Sequence, residues 1–159
     1  MQHLPKHLQP RWRYLGVALE AWPDADFDRR AFQRDLWYAA QNLLGDAGSA
    51  ELDLTVLRFA FDDGRGSAVV RTYRGESDRA RAAIGTISRI DGNPVGVRVR
   101  GVSGTVRACE EKYIRRGAEP PEQRHVVFEE SDCAAVVRDD RVDVRTDDGF
   151  SGATDLDLQ

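Results

Sequence analysis

Up to residue 100 the apolar positions change period in a set order, and that order constrains the fold more tightly than any other feature. Residues 12–20 alternate, with Leu15, Val17 and Leu19 on one side and Tyr14, Gly16 and Ala18 on the other, which is the pattern of a strand. Pro23 and Asp24 end it. Residues 27–44 carry Phe32, Leu36, Ala39 or Ala40 and Leu43 at three- and four-residue spacing, which predicts the longest helix. Asp26 or Asp28 can cap its start, and Gly45 stands where a left-handed C-cap belongs, with 46–50 as a loop. Alternation returns over 52–61, Asp62-Asp63-Gly64 signals a hairpin turn, and 67–73 is the return strand. Ser77 is placed to cap a second helix to about residue 87, with Ala80, Ala83, Ile84 and Ile87 inward. Asp91-Gly92-Asn93-Pro94 breaks it. A fourth strand over 95–100 alternates Val95, Val97 and Val99 with Gly96, Arg98 and Arg100.

Strand, helix, strand, strand, helix, strand is the order of the ferredoxin-like split βαββαβ sandwich, an α+β fold with one antiparallel sheet and two helices on one face. An additional helix is expected over 105–116, with Thr105 as cap and Val106, Cys109, Tyr113 and Ile114 as its apolar stripe. Gly117 stops it and Pro120-Pro121 begins a linker. The expected organisation is a domain at 1–117, opening with an irregular arm at 1–10. A linker with short strands at 126–128, 134–137 and 142–144 follows over 118–145, and Asp139-Asp140 turns between the last two. An acidic tail at 146–159, poor in large apolar residues, reads as disordered.

The chain has 159 residues, enough for one domain with a real core. No apolar run approaches the roughly 18 residues of a membrane span, and residues 1–12 lack the apolar stretch of a signal peptide. Two cysteines, Cys109 and Cys133, argue against a disulfide scaffold and a four-cysteine zinc site. A cytoplasmic protein is expected. The 21 arginines against 2 lysines, and 18 aspartates against 9 glutamates, resemble a halophilic composition. The net charge of −4 is then a solubility feature and hides an asymmetry. Residues 65–116 carry 12 basic and 5 acidic side chains, whereas 117–159 carry 4 basic and 12 acidic. Either the arginines are solvated charges flanking strands, or the basic body faces a polyanion, most simply nucleic acid.

Catalytic patterns are absent. His3 and His7 flank Pro5 in the arm, His125 stands alone, and there is no H-E-x-x-H, C-x-x-C or G-x-S-x-G. Cys109 reads as core packing and Cys133 as a free thiol. The paired carboxylates, such as Asp62-Asp63 and Glu110-Glu111, read as turns and solvated faces, and Gly64-x-Gly66 as a hairpin rather than a phosphate loop. The return strand offers Ser67, Val69 and Thr72 where an RNA-recognition motif presents stacking aromatics. Its neighbours offer arginine instead: Arg11, Arg13, Arg71, Arg98 and Arg100. Guanidinium groups suit phosphate and 2′-hydroxyl contacts, so the expected mode is recognition of RNA shape. The turn through Ser103, Gly104 and Thr105 leads into a helix N-terminus between Arg100 and Arg107, a favourable place for an anion. Its other reading is an ordinary strand-to-helix corner. These residues, with Lys112, are the candidate RNA contacts.

The block Gly104-Thr105-Val106-Arg107-x-Cys109 resembles the ribonuclease P protein component 2 family of archaea and eukaryotes. Arg11-x-Arg13-Tyr14-Leu15 resembles its opening strand, and Leu36-Trp37 with Asn42-Leu43-Leu44-Gly45 its first helix; the resemblance spans about 4–116. It implies an RNA-recognition-like fold, assembly with ribonuclease P protein component 3 and other subunits, and binding to the ribonuclease P RNA. The implied task is removal of the 5′ leader from precursor tRNA. The scissile chemistry would belong to RNA-bound metal ions, Mg²⁺, so this chain would bind no cofactor and have no active site of its own. Nothing is implied for the acidic part after Glu119. The alternative is a small-molecule-binding or regulatory ferredoxin-like domain; a lone ribonuclease lacks an acid–base pair. Trp37 and Tyr38 lie about 100° apart on their helix, so one should reach the surface as part of a protein interface.

Overall fold

The computed structural model describes residues 11–114, 122–128, 131–138, 141–146 and 149–153. Its order is β1 (Trp12–Ala21), α1 (Arg29–Leu52), β2 (Thr55–Asp62), β3 (Arg65–Tyr73), α2 (Ser77–Gly85), β4 (Arg89–Ile90), β5 (Asn93–Ser103) and α3 (Val106–Tyr113). Four further strands follow: β6 (Glu122–Phe128), β7 (Ser131–Arg138), β8 (Arg141–Thr146) and β9 (Gly149–Ala153). The first five strands form one mixed α/β unit with a sheet in the order β2-β3-β1-β5-β4, every paired strand antiparallel.

Alternation in β1 and β3 sorts the two faces of the sheet. Leu15, Val17 and Leu19 meet Ala68 and Val70 on one face, and Phe32, Leu36, Leu52, Ala80, Ala83 and Ile84 of α1 and α2 cover them. Complete burial of these side chains is the main force holding the helices to the sheet. Both tight hairpins turn on an Asp-Gly pair with positive φ at both residues, Asp63-Gly64 (50° and 75°) and Asp91-Gly92 (51° and 78°), as the right-handed twist of the flanking strands prefers. The second pair, expected only to break a helix, joins β4 to β5.

The outer edge of β2 is closed by α1. The Gln33 amide nitrogen donates to Leu54 O at 3.0 Å and its oxygen accepts from Val56 N–H at 2.7 Å. Trp37 donates its indole N–H to Leu54 O, and Arg29 donates to Val56 O. An edge strand presents unpaired backbone groups, and side chains of α1 pair with those of Leu54, just before β2, and of Val56 within it.

Several boundaries move. Asp28, not Asp26, caps α1 by accepting from Ala31 N–H. Gly45 has a positive φ (74°) but an extended ψ (177°), so it is a kink and not the expected left-handed cap; the helix resumes to Leu52 and ends on left-handed Asp53. The reason is burial: Gly48 lies against Leu44 and Arg79, and Leu52 is fully buried, so the expected loop at 46–50 is helical. Ser77 is inside α2 rather than its cap, and α2 ends at Gly85 with Ile87 buried beyond it. Helix α3 is described to Tyr113; Arg115, Arg116, the stop at Gly117 and the linker start at Pro120-Pro121 lie outside the described residues, as does the arm at 1–10.

The short strands expected after residue 118 are parts of an antiparallel meander, β6-β7-β8-β9. Its small core contains Ala135, Val142 and Val144 with Cys133 and Val137. The expected disordered tail is overturned for Gly149–Ala153, which pairs with Val142–Thr146 as β9. Backbone pairing supplies what this apolar-poor segment lacks in its own pattern. Residues 154–159 of that tail lie outside the described residues, as does the turn at Asp139-Asp140. Arg145 reaches the first unit, 3.6 Å from Asp24 and over the Trp22 ring.

Candidate nucleic-acid interface

The sheet face away from α1 and α2 carries Trp12, Tyr14 and Gly16 of β1, and Val69, Arg71 and Tyr73 of β3. Helix α3 crosses its middle. The helix fits there because the sequence supplies no side chains at Gly16 and Gly101, and the Tyr113 ring fills the space above both. Cys109 is fully buried beneath α3. Two arginines fasten the helix: Arg58 pairs with Glu110 at 3.0 Å, and Arg100 donates to Tyr113 O at 2.9 Å. Arg100 can reach because β5 bulges there, Gly16 pairing with Gly101 and Val17 with Val99.

The start of α3 is at the edge of this face. Thr105 Oγ1 accepts from Ala108 N–H at 3.1 Å, as the sequence predicted for a cap. The N–H groups of Val106 and Arg107 have no intrahelical acceptor, as at any first turn. Gly104 and Thr105 are exposed, and Ser103 is only 7 % exposed with its hydroxyl unpartnered among the described residues. Arg107 is open to solvent and pairs with Glu111 at 3.0 Å, one turn on.

The candidate contacts therefore separate into three places. Ser103, Gly104, Thr105 and Arg107 form the corner, with Arg71 two strands away. Arg98 and Arg100 stand exposed toward the other end of α3, where Arg100 serves the helix, and Lys112 is exposed on its last turn. Arg11 precedes β1 and accepts from Arg74 N–H through its carbonyl. Arg13 pairs with Thr72 in register, which puts it on the face of α1 and α2, and it donates to Trp12 O.

Two aromatics went unnoticed in the sequence. Trp12 and Tyr73 are paired across β1 and β3 with rings 4.4 Å apart and nearly parallel (14°). The Arg71 guanidinium lies 3.8 Å from the Trp12 ring, and its Nε is buried without a partner among the described residues. The motif position for a stacking ring held Val69 and Thr72, but the rings come from the neighbouring strand and from the last residue of β3. The signal for them is the cross-strand register, which one strand's sequence does not contain.

Cys109 is no nucleophile: burial, and then Glu110, push its thiol up to about 11. Among the described residues no three His, Cys, Asp or Glu side chains group as a metal site, and no helix is long and apolar enough to cross a membrane. On α1, Trp37, Tyr38 and Leu43 are about half exposed, so both adjacent aromatics reach the surface, Trp37 with its N–H already bonded. Trp37 and Tyr38 border a groove of about 470 Å³ with Arg29, Arg30 and Arg34.

Residues 13–114 match the model of the Rpp14/Pop5 family. The ribonuclease P protein component 2 of Natronomonas pharaonis is 65% identical over 100% of this chain and 99% of its own length. That of Haloarcula marismortui is 62% identical over 100% of both. That of Methanosarcina barkeri is 30% identical over 78% of this chain and 87% of its own. The first two come from haloarchaea, in agreement with the lysine-poor, aspartate-rich composition. The corner, α3 and all of the opening strand and its sheet face except Trp12 fall within the matched residues, and the chain belongs to the Rpp14/Pop5 family.

Proposed function

We propose that this chain is a non-catalytic protein subunit of ribonuclease P that binds the RNA subunit and assists removal of the 5′ leader from precursor tRNA. The observation that carries the reading is end-to-end similarity to relatives named ribonuclease P protein component 2. The first unit is read as a ferredoxin-like, RNA-recognition-like split, which its strand order β2-β3-β1-β5 supports. RNA phosphates are assigned to the corner at Ser103, Gly104, Thr105 and Arg107, with Arg11, Arg71, Arg98 and Lys112 extending the basic surface. Arg13 and Arg100, whose guanidinium groups already bond backbone carbonyls, serve the fold first.

Chemistry in such a particle is assigned to Mg²⁺ held by the RNA. The protein's task is to neutralise and position phosphates. The exposed Trp37, Tyr38 and Leu43 surface of α1 is assigned to a protein subunit, ribonuclease P protein component 3, and the location to the cytoplasm. The test is capture of the full chain from native extract at high salt, with sequencing of the RNA that comes with it. Enrichment of ribonuclease P RNA is expected; capture without any specific RNA overturns the reading.

A further inference from the structure

The corner at α3 and the Trp12–Tyr73 pair are ends of one strip. Arg71 on β3, Tyr14 on β1 and Ser103 on β5 are in register across the sheet face. Two strand spacings put Arg71 and Ser103 about 10 Å apart. At one end Tyr73, Trp12 and Arg71 share a stack. At the other, Ser103 leads to the N-terminus of α3. The two buried side-chain polar atoms without partners among the described residues, Arg71 Nε and Ser103 Oγ, both lie on this strip, one on each side of Tyr14. Buried donors and hydroxyls are ordinarily bonded, so these two atoms leave bonding capacity that a ligand can take up.

We propose that the Trp12–Tyr73 platform receives one unpaired nucleobase of a bound RNA, which stacks on the aromatic pair while its backbone runs past Arg71 and Tyr14 toward Ser103 and the α3 N-terminus. This rests on the reading of the chain as an RNA-binding subunit and adds a single-stranded contact to it. The chemistry favours a base over a phosphate at this end. Aromatic faces stack on any base, and an arginine already held against a ring keeps its remaining N–H groups at the rim for a base edge. Salt favours it too. At the molar ionic strength that the composition suits, the Debye length is about 3 Å, which screens phosphate attraction but leaves stacking intact.

The test uses the full chain in molar KCl with two probes: a short single-stranded RNA containing one 2-aminopurine, and the same sequence closed in a duplex. Stacking should quench the 2-aminopurine on binding to the natural chain and to Trp12→Phe and Tyr73→Phe, which keep the rings. Trp12→Leu and Tyr73→Leu should lose single-strand affinity by about tenfold with duplex affinity unchanged. Equal affinity of the Leu and natural chains for the single strand overturns the platform, as does an equal loss for both probes. Should the Leu variants melt early, 4-thiouridine crosslinking to the natural chain decides. Attachment at Trp12 or Tyr73 supports the proposal, and attachment only elsewhere overturns it. Binding of neither probe overturns the RNA-binding reading itself.

Discussion

Tyr113 fills the space a side chain at Gly101 would need: a methyl group there would overlap the tyrosine ring. The position of α3 thus depends on a glycine two residues before the corner that α3 presents. Gly101→Ala is expected to destabilise the fold by about 1–3 kcal/mol through overpacking and to disturb the corner. Thermal melting of Gly101→Ala, Tyr113→Ala and the double variant checks this. The double variant should cost clearly less than the sum of the two single changes.

Gln33 stands in for a neighbouring strand along Leu54–Val56, and it is 8% exposed. Gln33→Ala leaves a buried backbone N–H and weakens the bonding of a carbonyl, at an expected cost of about 1–3 kcal/mol. Trp37→Phe removes only the second donor to Leu54 O and should cost less. Denaturant unfolding gives both values. Neither variant should change RNA affinity, because both act on the sheet edge against α1.

Thr105 and Arg107 should separate stability from binding. Losing the Thr105 cap costs about 1 kcal/mol, so Thr105→Ala lowers the melting temperature. The exposed Arg107–Glu111 pair belongs to a class worth only about 0.2–0.5 kcal/mol, so Arg107→Ala leaves melting nearly unchanged. If Arg107 touches phosphate, its loss removes a charge-assisted bond of about 1.5–3 kcal/mol from RNA binding. Equal melting losses with constant RNA affinity would make the corner purely structural.

The Cys109 thiol sits at about 11 in the folded chain, above its ordinary 9.0, because burial disfavours the thiolate. The folded state therefore favours the neutral form. The stability this contributes is complete below pH 9 and is lost as pH rises toward 11. Iodoacetamide at neutral pH should label Cys109 only when the chain unfolds. Rapid native labelling, followed by peptide mapping, would contradict the burial.

RNA binding should tolerate salt. Each phosphate neutralised on a duplex contributes a slope of about −0.9 in log affinity against log salt. Arginine hydrogen bonds and stacking act at contact distance, so the measured slope between low and molar KCl should be shallow. A slope as steep as that of a lysine-rich binder would contradict this.

Hydrophobic period and turn chemistry were enough to place β1 and the Asp63-Gly64 hairpin and to establish the presence of α1 and α2, because those signals are local and each is repeated over several residues. They failed where a distant partner decides. The helical 46–50 segment follows from burial of Gly48 and Leu52, and β9 exists through its pairing with β8. In the candidate site, Thr105 was legible as a cap, since capping spans three residues. The Trp12–Tyr73 stack was not, since those rings are 61 positions apart and meet only through the β1–β3 register. The sequence by itself determined the order β1, α1, β2, β3, α2, β5, α3, the basic body and the family resemblance. Tertiary structure alone decided which arginines face outward, that α3 lies across the sheet on two glycines, and that an aromatic platform stands beside it. Side-chain pairing across strands depends on register, and register is set by the packing of the whole sheet.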